Sequence, residues 1–411
     1  MNFSFIKNIL FKKKLKEIDF DLNFSRFVRK ILIIFFSLIF KFEINDSIIK
    51  NLEPPFIILA NHSNWWDPFF IGLFIDKPLH FVATEDIFRL FPYNFILPKL
   101  GAIPKIKFYP DFDTVRKIYK VKENKGIIGI FPEGERNWDG ATLNIVPSTI
   151  KLIKKLSLPV VICLMKGAHM VYPRWAKNYR KGTIKIEFVH IFTKSDIELL
   201  DEDKLYKEIN EKFSYNEYEY FRGKNIIFKG TKKAKGLGNF LFICPHCHSI
   251  NKNKSRGNFF YCSNCKYEVY INKYNFFEIS KFSKINKLYF DNPYDWNKWQ
   301  IEFIKIDFIN DKTLNYFFKD QPVILFSRKK KGNLFKINSG KLKLDRNIFA
   351  IHTLLGKDII FEIDKINSIN VLYRNILDFY YDGKFYRIIF ENNKISAYKY
   401  VLTIKALKNI L

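Results

Sequence analysis

Glycine, proline and cysteine are all scarce in this chain of 411 residues. It contains 17 Gly, 15 Pro and 5 Cys, whereas 48% of its residues are hydrophobic and 27% are charged. Collagen-like and low-complexity chains need far more glycine and proline, and disordered chains have fewer apolar residues. Because a domain has roughly 100–200 residues, the length predicts two to four folded domains with apolar cores.

The sequence also lacks an apolar segment long enough to cross a membrane. The longest run, Ile31–Phe40, is interrupted by Ser37, and a transmembrane helix needs about 20 apolar residues. The beginning does not resemble a secretory signal, because Lys12–Lys14 are followed by acidic residues and no small-residue cleavage site follows the apolar run. We therefore expect no transmembrane helix and a location in the cytoplasm.

Acidic residues are few relative to basic ones. Asp and Glu total 41 and Lys and Arg total 69, which gives a formal net charge of +28. This charge favours a polyanionic partner, either nucleic acid or an anionic membrane surface. However, 56 of the basic residues are Lys and only 13 are Arg, a bias that an AT-rich coding sequence also produces, so the total charge leaves both explanations open.

Two segments concentrate the positive charge. In residues 1–50, basic residues flank the apolar run at 31–40, which predicts an amphipathic helix in the headgroup region of an anionic membrane. A core helix is the alternative. Residues 222–258 contain nine Lys or Arg and no Asp or Glu, which indicates a basic linker and a domain boundary near residue 225.

Residues 55 to about 213 alternate short apolar runs with amphipathic segments. This alternation is typical of buried strands separated by helices, and it predicts an α/β domain. The predicted strands are 56–60, 80–84, 126–131, 159–165 and 184–192, and the predicted helices are 111–123, 148–156 and 201–213.

The chain is rich in strand patterns after about residue 285. Predicted strands are 323–327, 341–344, 348–352, 358–363 and 385–391, with a hairpin turn at 381–384 and a final amphipathic helix at 396–410. The predicted organisation is therefore a leader at 1–50, an α/β domain at 51–221, a basic linker with a cysteine cluster at 222–280, and a β-rich domain at 281–411.

The first candidate site directly follows the strand predicted at 56–60. There the sequence Asn-His-Ser-Asn-Trp-Trp-Asp places His62 five residues before Asp67. Histidine is the usual general base near neutral pH, and a carboxylate can hold its tautomer and stabilise the imidazolium. This pair alone is a weak indication of catalysis.

Two other segments carry groups suited to binding an anion. Gly134 lies in a turn after the strand predicted at 126–131, and Arg136 follows it. A glycine turn lets backbone N–H groups approach a phosphate, which a guanidinium can bind bidentately. Lys105 and Lys107 end another short strand pattern. Each segment alone is equally explained as a solvated turn.

Together, in this order and at these separations, the segments closely resemble the sequence blocks of the glycerolipid acyltransferase family, which includes the lysophosphatidic acid acyltransferases. His62 and Asp67 match the first block, H-x-x-x-x-D, residues 131–136 match the third block, and residues 158–161 match the apolar fourth block. The resemblance covers roughly residues 50–215.

The resemblance implies an activity and a role for each residue. His62 would take the proton of an acceptor hydroxyl that attacks the thioester of acyl-CoA or acyl carrier protein, while Asp67 orients the imidazole. A thiol leaves readily as a thiolate, so no metal is needed at this site. The residues that would bind the acceptor phosphate or shape its pocket are Lys105, Lys107, Glu133, Gly134 and Arg136.

Two positions depart from the family pattern. Glu135 stands where the third block usually has a small hydroxyl residue, and Lys105 or Lys107 must serve where the second block usually has arginine. A carboxylate beside the phosphate-binding groups could select another head group. The acceptor that the resemblance implies is 1-acylglycerol 3-phosphate. Because of the two departures, glycerol 3-phosphate or another lysophospholipid stays open as the alternative.

Four of the five cysteines form two CxxC pairs separated by fourteen residues. They are Cys244, Cys247, Cys262 and Cys265. Four thiolates at this spacing predict a zinc ribbon with a structural tetrahedral zinc, which has no open position for catalysis. His246 and His248 are the alternative ligands, and Cys163 is expected to be a core residue. Zinc ribbons often bind nucleic acid, but beside a domain resembling lipid enzymes a membrane or domain contact is favoured.

The C-terminal region resembles a PH- or GRAM-like module, because consecutive strands are followed by one helix. The lysines at 329–331, Lys341 and Lys343 could contact anionic lipids, and solvated lysines are the alternative. For the whole chain we expect a peripheral acyltransferase on the cytoplasmic face of a membrane, with a lysophospholipid acceptor, an acyl carrier and no nucleic acid as partner. A non-catalytic lipid- or nucleic-acid-binding protein on the same scaffold is the rival hypothesis.

Overall fold

The computed structural model describes residues 19–106, 111–328, 333–353 and 356–411. Lys107 and the lysines at 329–331, for which the sequence predicts anion binding, lie outside the described residues. The chain forms two compact units. The first comprises Met1–Arg174 and Tyr179–Lys229, and the second comprises Trp175–Asn178 and Gly230–Leu411.

A seven-stranded sheet forms the centre of the first unit. Its strands are β1 (Lys41–Asn45), β2 (Ile57–Ala60), β3 (Leu79–Thr84), β4 (Ile103–Lys105), β5 (Ile127–Ile130), β6 (Val160–Lys166) and β7 (Thr183–Phe192). Their spatial order is β1-β7-β6-β2-β5-β3-β4. Strands β2 to β6 are parallel to one another, whereas β7 is antiparallel to β6. The carboxyl ends of β2 to β6 therefore meet at one edge, which we call the carboxyl edge.

Helices alternate with these strands along the chain. They are α1 (Leu22–Ser37), α2 (Asp67–Gly72), α3 (Tyr93–Lys99), α4 (Phe112–Glu123), α5 (Pro147–Leu156), α6 (Ala168–Val171), α7 (Lys194–Leu199), α8 (Glu202–Phe213) and α9 (Glu217–Phe221). Helix α4 begins after Asp111 and helix α8 after Asp201, because each carboxylate accepts a hydrogen bond from a backbone N–H in the first turn. Apolar residues of α4, α5 and α8 form one buried cluster with those of β2, β5 and β6.

The predicted strands and helices of this region are confirmed, with ends that differ by one or two residues. Strand β1 was not predicted, whereas β4 was indicated by the short strand pattern that ends at Lys105 and Lys107. Strand β1 pairs with β7, although it lies within the range assigned to the leader. Its side chains are exposed or half-buried because it is an edge strand, so it has no apolar run. Strand β4 has only three residues, and for this reason the sequence indicated its end but not its bounds.

Helix α1 has one packed face and one exposed face. The buried Phe36 ring contacts Trp66 and Phe70, with ring centroids 5.5 and 5.0 Å away. The packed face fits the core-helix alternative, and contact with a membrane stays a prediction. The side chains on its other face that are half or more exposed include Phe27, Ile31 and Ile34.

Among the described residues, no helix combines the length and the apolar character needed to cross a membrane.

The second unit contains two antiparallel sheets. The smaller consists of β8 (Asn253–Arg256), β9 (Phe259–Cys262), β10 (Glu268–Ile271) and β11 (Phe277–Ile279). The larger consists of β12 (Phe318–Arg328), β13 (Phe335–Leu344), β14 (Ile348–Thr353), β15 (Ile359–Glu362), β16 (Ile366–Leu372), β17 (Ile376–Tyr381) and β18 (Lys384–Phe390), in the order β15-β14-β13-β12-β18-β17-β16. Helix α10 (Pro293–Phe303) precedes the larger sheet and helix α11 (Ala397–Leu407) ends it.

Helix α10 joins the two parts of this unit. Gln300 Oε1 accepts hydrogen bonds from the backbone N–H groups of Phe242 and Ile243 at 2.8 and 3.0 Å, and Trp296 Nε1 donates to Ile243 O. These buried contacts explain why residues 230–411 form one compact unit, whereas the sequence placed them in two domains. The predicted strands and the final helix are confirmed, but β16 and β17 were not predicted as strands.

Candidate active site

Two of the predicted motifs follow neighbouring strands at the carboxyl edge. His62 lies two residues beyond the end of β2, and residues 131–136 follow β5, which pairs directly with β2. The structure therefore brings the first and third sequence blocks together. In open α/β sheets, ligands bind in the crevice outside the carboxyl ends of the strands.

His62 and Asp67 form a close pair. His62 Nδ1 lies 2.8 Å from Asp67 Oδ2, and the same oxygen accepts hydrogen bonds from the backbone N–H groups of Ser63 and Asn64 at 2.6 and 2.8 Å. A carboxylate can only accept hydrogen bonds, so Nδ1 carries the proton and Nε2 is the basic nitrogen. The Asp67 side chain is fully buried, while that of His62 is 22% exposed. The imidazole is therefore oriented from within the protein and reachable from solvent.

The loop that carries His62 is cross-linked to the third block. Glu133 Oε1 accepts the backbone N–H of His62 at 2.6 Å, and Glu133 Oε2 accepts that of Leu143 at 2.8 Å. The Phe131 ring stacks on the imidazole with centroids 4.2 Å apart. Burial raises the pKa of the Glu133 carboxyl well above its usual range, and the nearby Asp67 charge adds to the rise against the lowering effect of the two N–H groups. Glu133 thus shapes the loop from inside the protein.

Arg136 is held at the rim of this site. Its guanidinium carbon lies 4.4 Å from the centre of the Trp65 ring, which belongs to the His62 loop. Arg174 donates a hydrogen bond to the carbonyl of Arg136 and another, at 2.9 Å, to Glu135 Oε2. Arg174 also stacks on the Trp138 ring at 4.3 Å. The Glu135 carboxylate, which departs from the family pattern, is therefore already paired with a buried cation.

The remaining predicted residues are distributed as follows. Gly134 has a φ of +71°, a conformation that favours glycine, and this explains its place in the turn before Arg136. Lys105 is exposed at the end of β4 and lies at the carboxyl edge. It is two strands from β5, roughly 10 Å at the usual strand spacing.

Several residues that support the site were not predicted. Asn61 exchanges two hydrogen bonds with the backbone of Met165, and Asn64 Nδ2 donates to the carbonyl of Ala168 at 3.0 Å. Asn137 donates its backbone N–H to the carbonyl of His62 at 2.8 Å. Asn61 and Asn64 flank His62 in the first motif, and this position is a signal from which a supporting role could have been predicted. Nothing in the sequence pattern pointed to the partners of Arg174.

The four cysteines of the two CxxC pairs come together in the second unit. Their Sγ atoms all lie within 4.8 Å of one another, and Cys244–Cys265 and Cys247–Cys262 are 3.6 and 3.7 Å apart. Thiolates on a tetrahedral zinc at about 2.3 Å are separated by about 3.8 Å. The four cysteines are therefore close enough to hold a metal and compatible with a structural zinc. Cys163 is buried in β6, as expected of a core residue.

Comparison with known proteins agrees with the motif assignment. Residues 41–166 match the family model described as Acyltransferase. The 1-acyl-sn-glycerol-3-phosphate acyltransferase of Bacillus subtilis (strain 168) is 25% identical over 158 residues, which cover 36% of this chain and 76% of that protein. The protein of the same name from Cocos nucifera is 25% identical over 136 residues, 32% of this chain and 44% of that protein.

A solved structure is also similar. It is the 1-acyl-sn-glycerophosphate (LPA) acyltransferase from Thermotoga maritima, with 18% identity and a TM-score of 0.39 over 49% of this chain and 78% of that chain. The sequence matches support the glycerolipid acyltransferase family for the first unit and, with it, a transferase of lipid biosynthesis.

Proposed function

We propose that the protein transfers a fatty acyl chain from acyl-CoA or acyl carrier protein to the free hydroxyl of 1-acylglycerol 3-phosphate, giving phosphatidic acid. The observation that carries the proposal is the 2.8 Å contact between His62 Nδ1 and the buried Asp67, beside a segment ending in Arg136. A base and an anion-binding group at one rim suit a phosphorylated alcohol.

The geometry suggests a simple reaction. The acceptor hydroxyl oxygen attacks the thioester carbonyl carbon while its proton passes to His62 Nε2, and Asp67 stabilises the imidazolium through Nδ1. The tetrahedral intermediate then collapses, the carbon–sulfur bond breaks, and the thiolate leaves. A thiol with a pKa near 8.5 is a good leaving group, and it can take the proton back from the imidazolium.

The acceptor phosphate would be bound by Arg136 and the turn at Gly134, with Lys105 contributing positive charge from β4. Because Glu135 is paired with Arg174, its carboxylate does not repel a phosphate as an isolated carboxylate would. This pairing favours 1-acylglycerol 3-phosphate over a cationic head group. Glycerol 3-phosphate and other lysophospholipids are the alternative acceptors.

An acyl-transfer assay tests this proposal. Purified protein is incubated with labelled acyl-CoA or acyl carrier protein and, separately, 1-acylglycerol 3-phosphate, glycerol 3-phosphate or an uncharged lysolipid. We expect phosphatidic acid from the first acceptor, and a loss of about 10²–10⁴-fold in the His62→Ala variant. His352→Ala is the matched control, since His352 also contacts an aspartate, Asp358, but in the second unit. Equal products from wild type and His62→Ala would refute the assigned base.

We also propose peripheral binding to the cytoplasmic face of a membrane through helix α1. Its exposed apolar residues Ile31 and Ile34 lie one turn apart, next to the exposed Lys30. We expect co-sedimentation with vesicles containing anionic phospholipid and a clear loss for the double substitution Ile31→Glu and Ile34→Glu. Leu199→Glu, at a leucine that is 84% exposed elsewhere in the first unit, should bind as wild type. Equal binding of all three proteins would refute the proposal.

For the second unit we propose a zinc ribbon followed by a PH- or GRAM-like module. The four cysteines would fill every coordination position, so the zinc would stabilise the fold without activating a substrate. The order of the seven antiparallel strands and the helix at their end support the second assignment. An anionic lipid is the partner that this module would bind.

A further inference from the structure

A fully buried carboxyl group lies outside the matched family region and has no role in the reaction described above. It belongs to Glu217, the first residue of α9. Its Oε1 accepts hydrogen bonds from the backbone N–H groups of Gly167 and His169 at 3.0 and 3.1 Å, and its Oε2 accepts from Gly167 N at 2.8 Å and Tyr215 OH at 2.8 Å. The Glu217 side chain thus fixes the turn that follows β6.

This turn leads directly to the catalytic pair. Ala168, between the two residues that donate to Glu217, accepts a hydrogen bond from Asn64 Nδ2 at 3.0 Å. Asn64 in turn donates its backbone N–H to Asp67 Oδ2 at 2.8 Å. Gly167 has a φ of +95°, and a Cβ there would lie 2.4 Å from the carbonyl of Thr183, so the turn has little room to shift.

A second chain of hydrogen bonds reaches the same loop from the backbone of Glu217. Its N–H donates to the carbonyl of Gly140 at 3.0 Å, and Gly140 N–H donates to Asn137 Oδ1 at 3.2 Å. Asn137 N–H donates to the carbonyl of His62 at 2.8 Å. Separate chains of hydrogen bonds therefore connect the backbone of Glu217 to His62 and the side chain of Glu217 to Asp67.

We propose that Glu217 is a positioning residue for the His62–Asp67 pair. Its side chain acts through Asn64, and its backbone acts through Asn137. The inference rests on the proposed function, because it concerns the geometry of the base in that reaction. Misplacement of a catalytic group by about 1 Å can reduce the rate about 100-fold. Residues that hold a functional side chain in its orientation can therefore affect the rate without contacting the substrate.

Three substitutions separate the length of the Glu217 side chain from its carboxyl chemistry. Glu217→Gln keeps the length and one acceptor oxygen for Gly167 and His169, and its amide can donate to Tyr215 OH. Glu217→Asp keeps the carboxyl group but is one methylene shorter. Glu217→Ala removes every side-chain acceptor. Glu219→Gln is the matched control, because Glu219 is exposed on the same helix.

We expect kcat to fall about 10- to 100-fold in Glu217→Ala and Glu217→Asp, with KM for donor and acceptor within about threefold of wild type. Glu217→Gln should remain within about threefold of wild type, as should Glu219→Gln. If Glu217→Ala does not fold, the comparison of Gln with Asp decides. Wild-type kcat in the Asp variant, or equal losses in Gln and Asp, would overturn the proposal.

An NMR measurement that does not depend on catalysis distinguishes a failure of the positioning proposal from a failure of the proposed function. The imidazole NMR signals of His62, identified by their loss in His62→Ala, should change in Glu217→Asp and remain at their wild-type positions in Glu217→Gln. If no acceptor is acylated but this difference is observed, the proposed function fails and the positioning of the pair stands. If the signals are the same in both variants, the positioning proposal fails whatever the activity.

Discussion

Each of the two units contains a histidine in contact with an aspartate. The two pairs differ in the burial of their side chains and in their surroundings. In the first unit His62 Nδ1 is 2.8 Å from Asp67 Oδ2, with the aspartate side chain fully buried. In the second unit His352 Nδ1 is 2.6 Å from Asp358 Oδ2, but both side chains are about 40% exposed, at 42% and 41%. The distance between two atoms therefore does not identify a catalytic pair.

The difference lies in what surrounds each pair. Asp67 accepts two backbone N–H groups, and its histidine stacks on Phe131 beside the segment that carries Arg136. Asp358 and His352 lie on the second unit's larger sheet and the segment next to it, where water competes for both partners. An exposed ion pair contributes about 0–1 kcal/mol, whereas an oriented base in a protected site can accelerate a reaction by about 10²–10⁴-fold.

The largest expected effect comes from replacing Asp67, with the same substitution at Asp358 as the control. Asp67→Asn should lower kcat by about 10²–10⁴-fold, because the amide cannot stabilise the imidazolium and can disturb its tautomer. Asp358→Asn should leave kcat unchanged. Both variants are compared by steady-state kinetics with the same acceptor, together with their thermal unfolding. A folded Asp67→Asn variant with wild-type kcat would remove the distinction between the two pairs.

We expect disruption of the cysteine cluster to affect the second unit and to leave the His62 site intact. Cys247→Ser should lower the zinc content from one ion per chain and destabilise the second unit by several kcal/mol, because metal binding is coupled to folding. Elemental analysis and thermal unfolding measure the two effects. Cys163→Ala, at a cysteine distant in sequence and buried in β6, should keep one zinc. Full zinc content in Cys247→Ser would show that the cluster is not the metal site.

A smaller effect is expected for the anion-binding arginine. Arg136→Lys should raise KM for 1-acylglycerol 3-phosphate about tenfold with little change in kcat, because a lysine cannot bind phosphate bidentately or stack equally well on Trp65. Arg116→Lys, at an arginine whose side chain is 68% exposed on α4, is the control. An unchanged KM in Arg136→Lys would assign the phosphate to other groups.

The smallest expected effect is a change of stability with pH. Burial raises the pKa of Glu217 to about 8, from an ordinary value of 4.5, against the lowering effect of its hydrogen-bond donors. The folded protein therefore holds a proton that the unfolded chain loses, so this group's stabilising contribution is complete below pH 4.5 and is lost as pH rises through 8.

Glu217→Gln has no proton to lose at this position. Relative to wild type, its unfolding midpoint should therefore rise between pH 5 and pH 8, by about 2–4 °C for each kcal/mol of stability that the wild type loses. Glu133 titrates in both proteins and cancels in the difference, and Glu219→Gln should follow wild type. A difference between wild type and Glu217→Gln that stays constant with pH would contradict the raised pKa.

The sequence allowed most of the fold and half of the site to be predicted. Strands β2 and β5 are apolar throughout and β6 is apolar up to Lys166, as expected of strands buried on both faces, so their runs stand out. The motif residues His62, Asp67 and Arg136 were recognised because they lie in short segments with a characteristic order. The edge strand β1 was missed because it has no periodic apolar pattern.

By itself, the sequence determined the order of the strands along the chain, the residues that follow each strand, and the spacing of the cysteines, because these depend on local composition and periodicity. Only the tertiary structure decided that Arg174 pairs with Glu135 and that Glu217 is connected to Asp67. These partners are separated by 39 residues in the first case, and in the second Glu217 lies outside the matched region that contains Asp67. Such distant residues come together only in the assembled sheet, because its parallel strands bring their carboxyl ends to one edge.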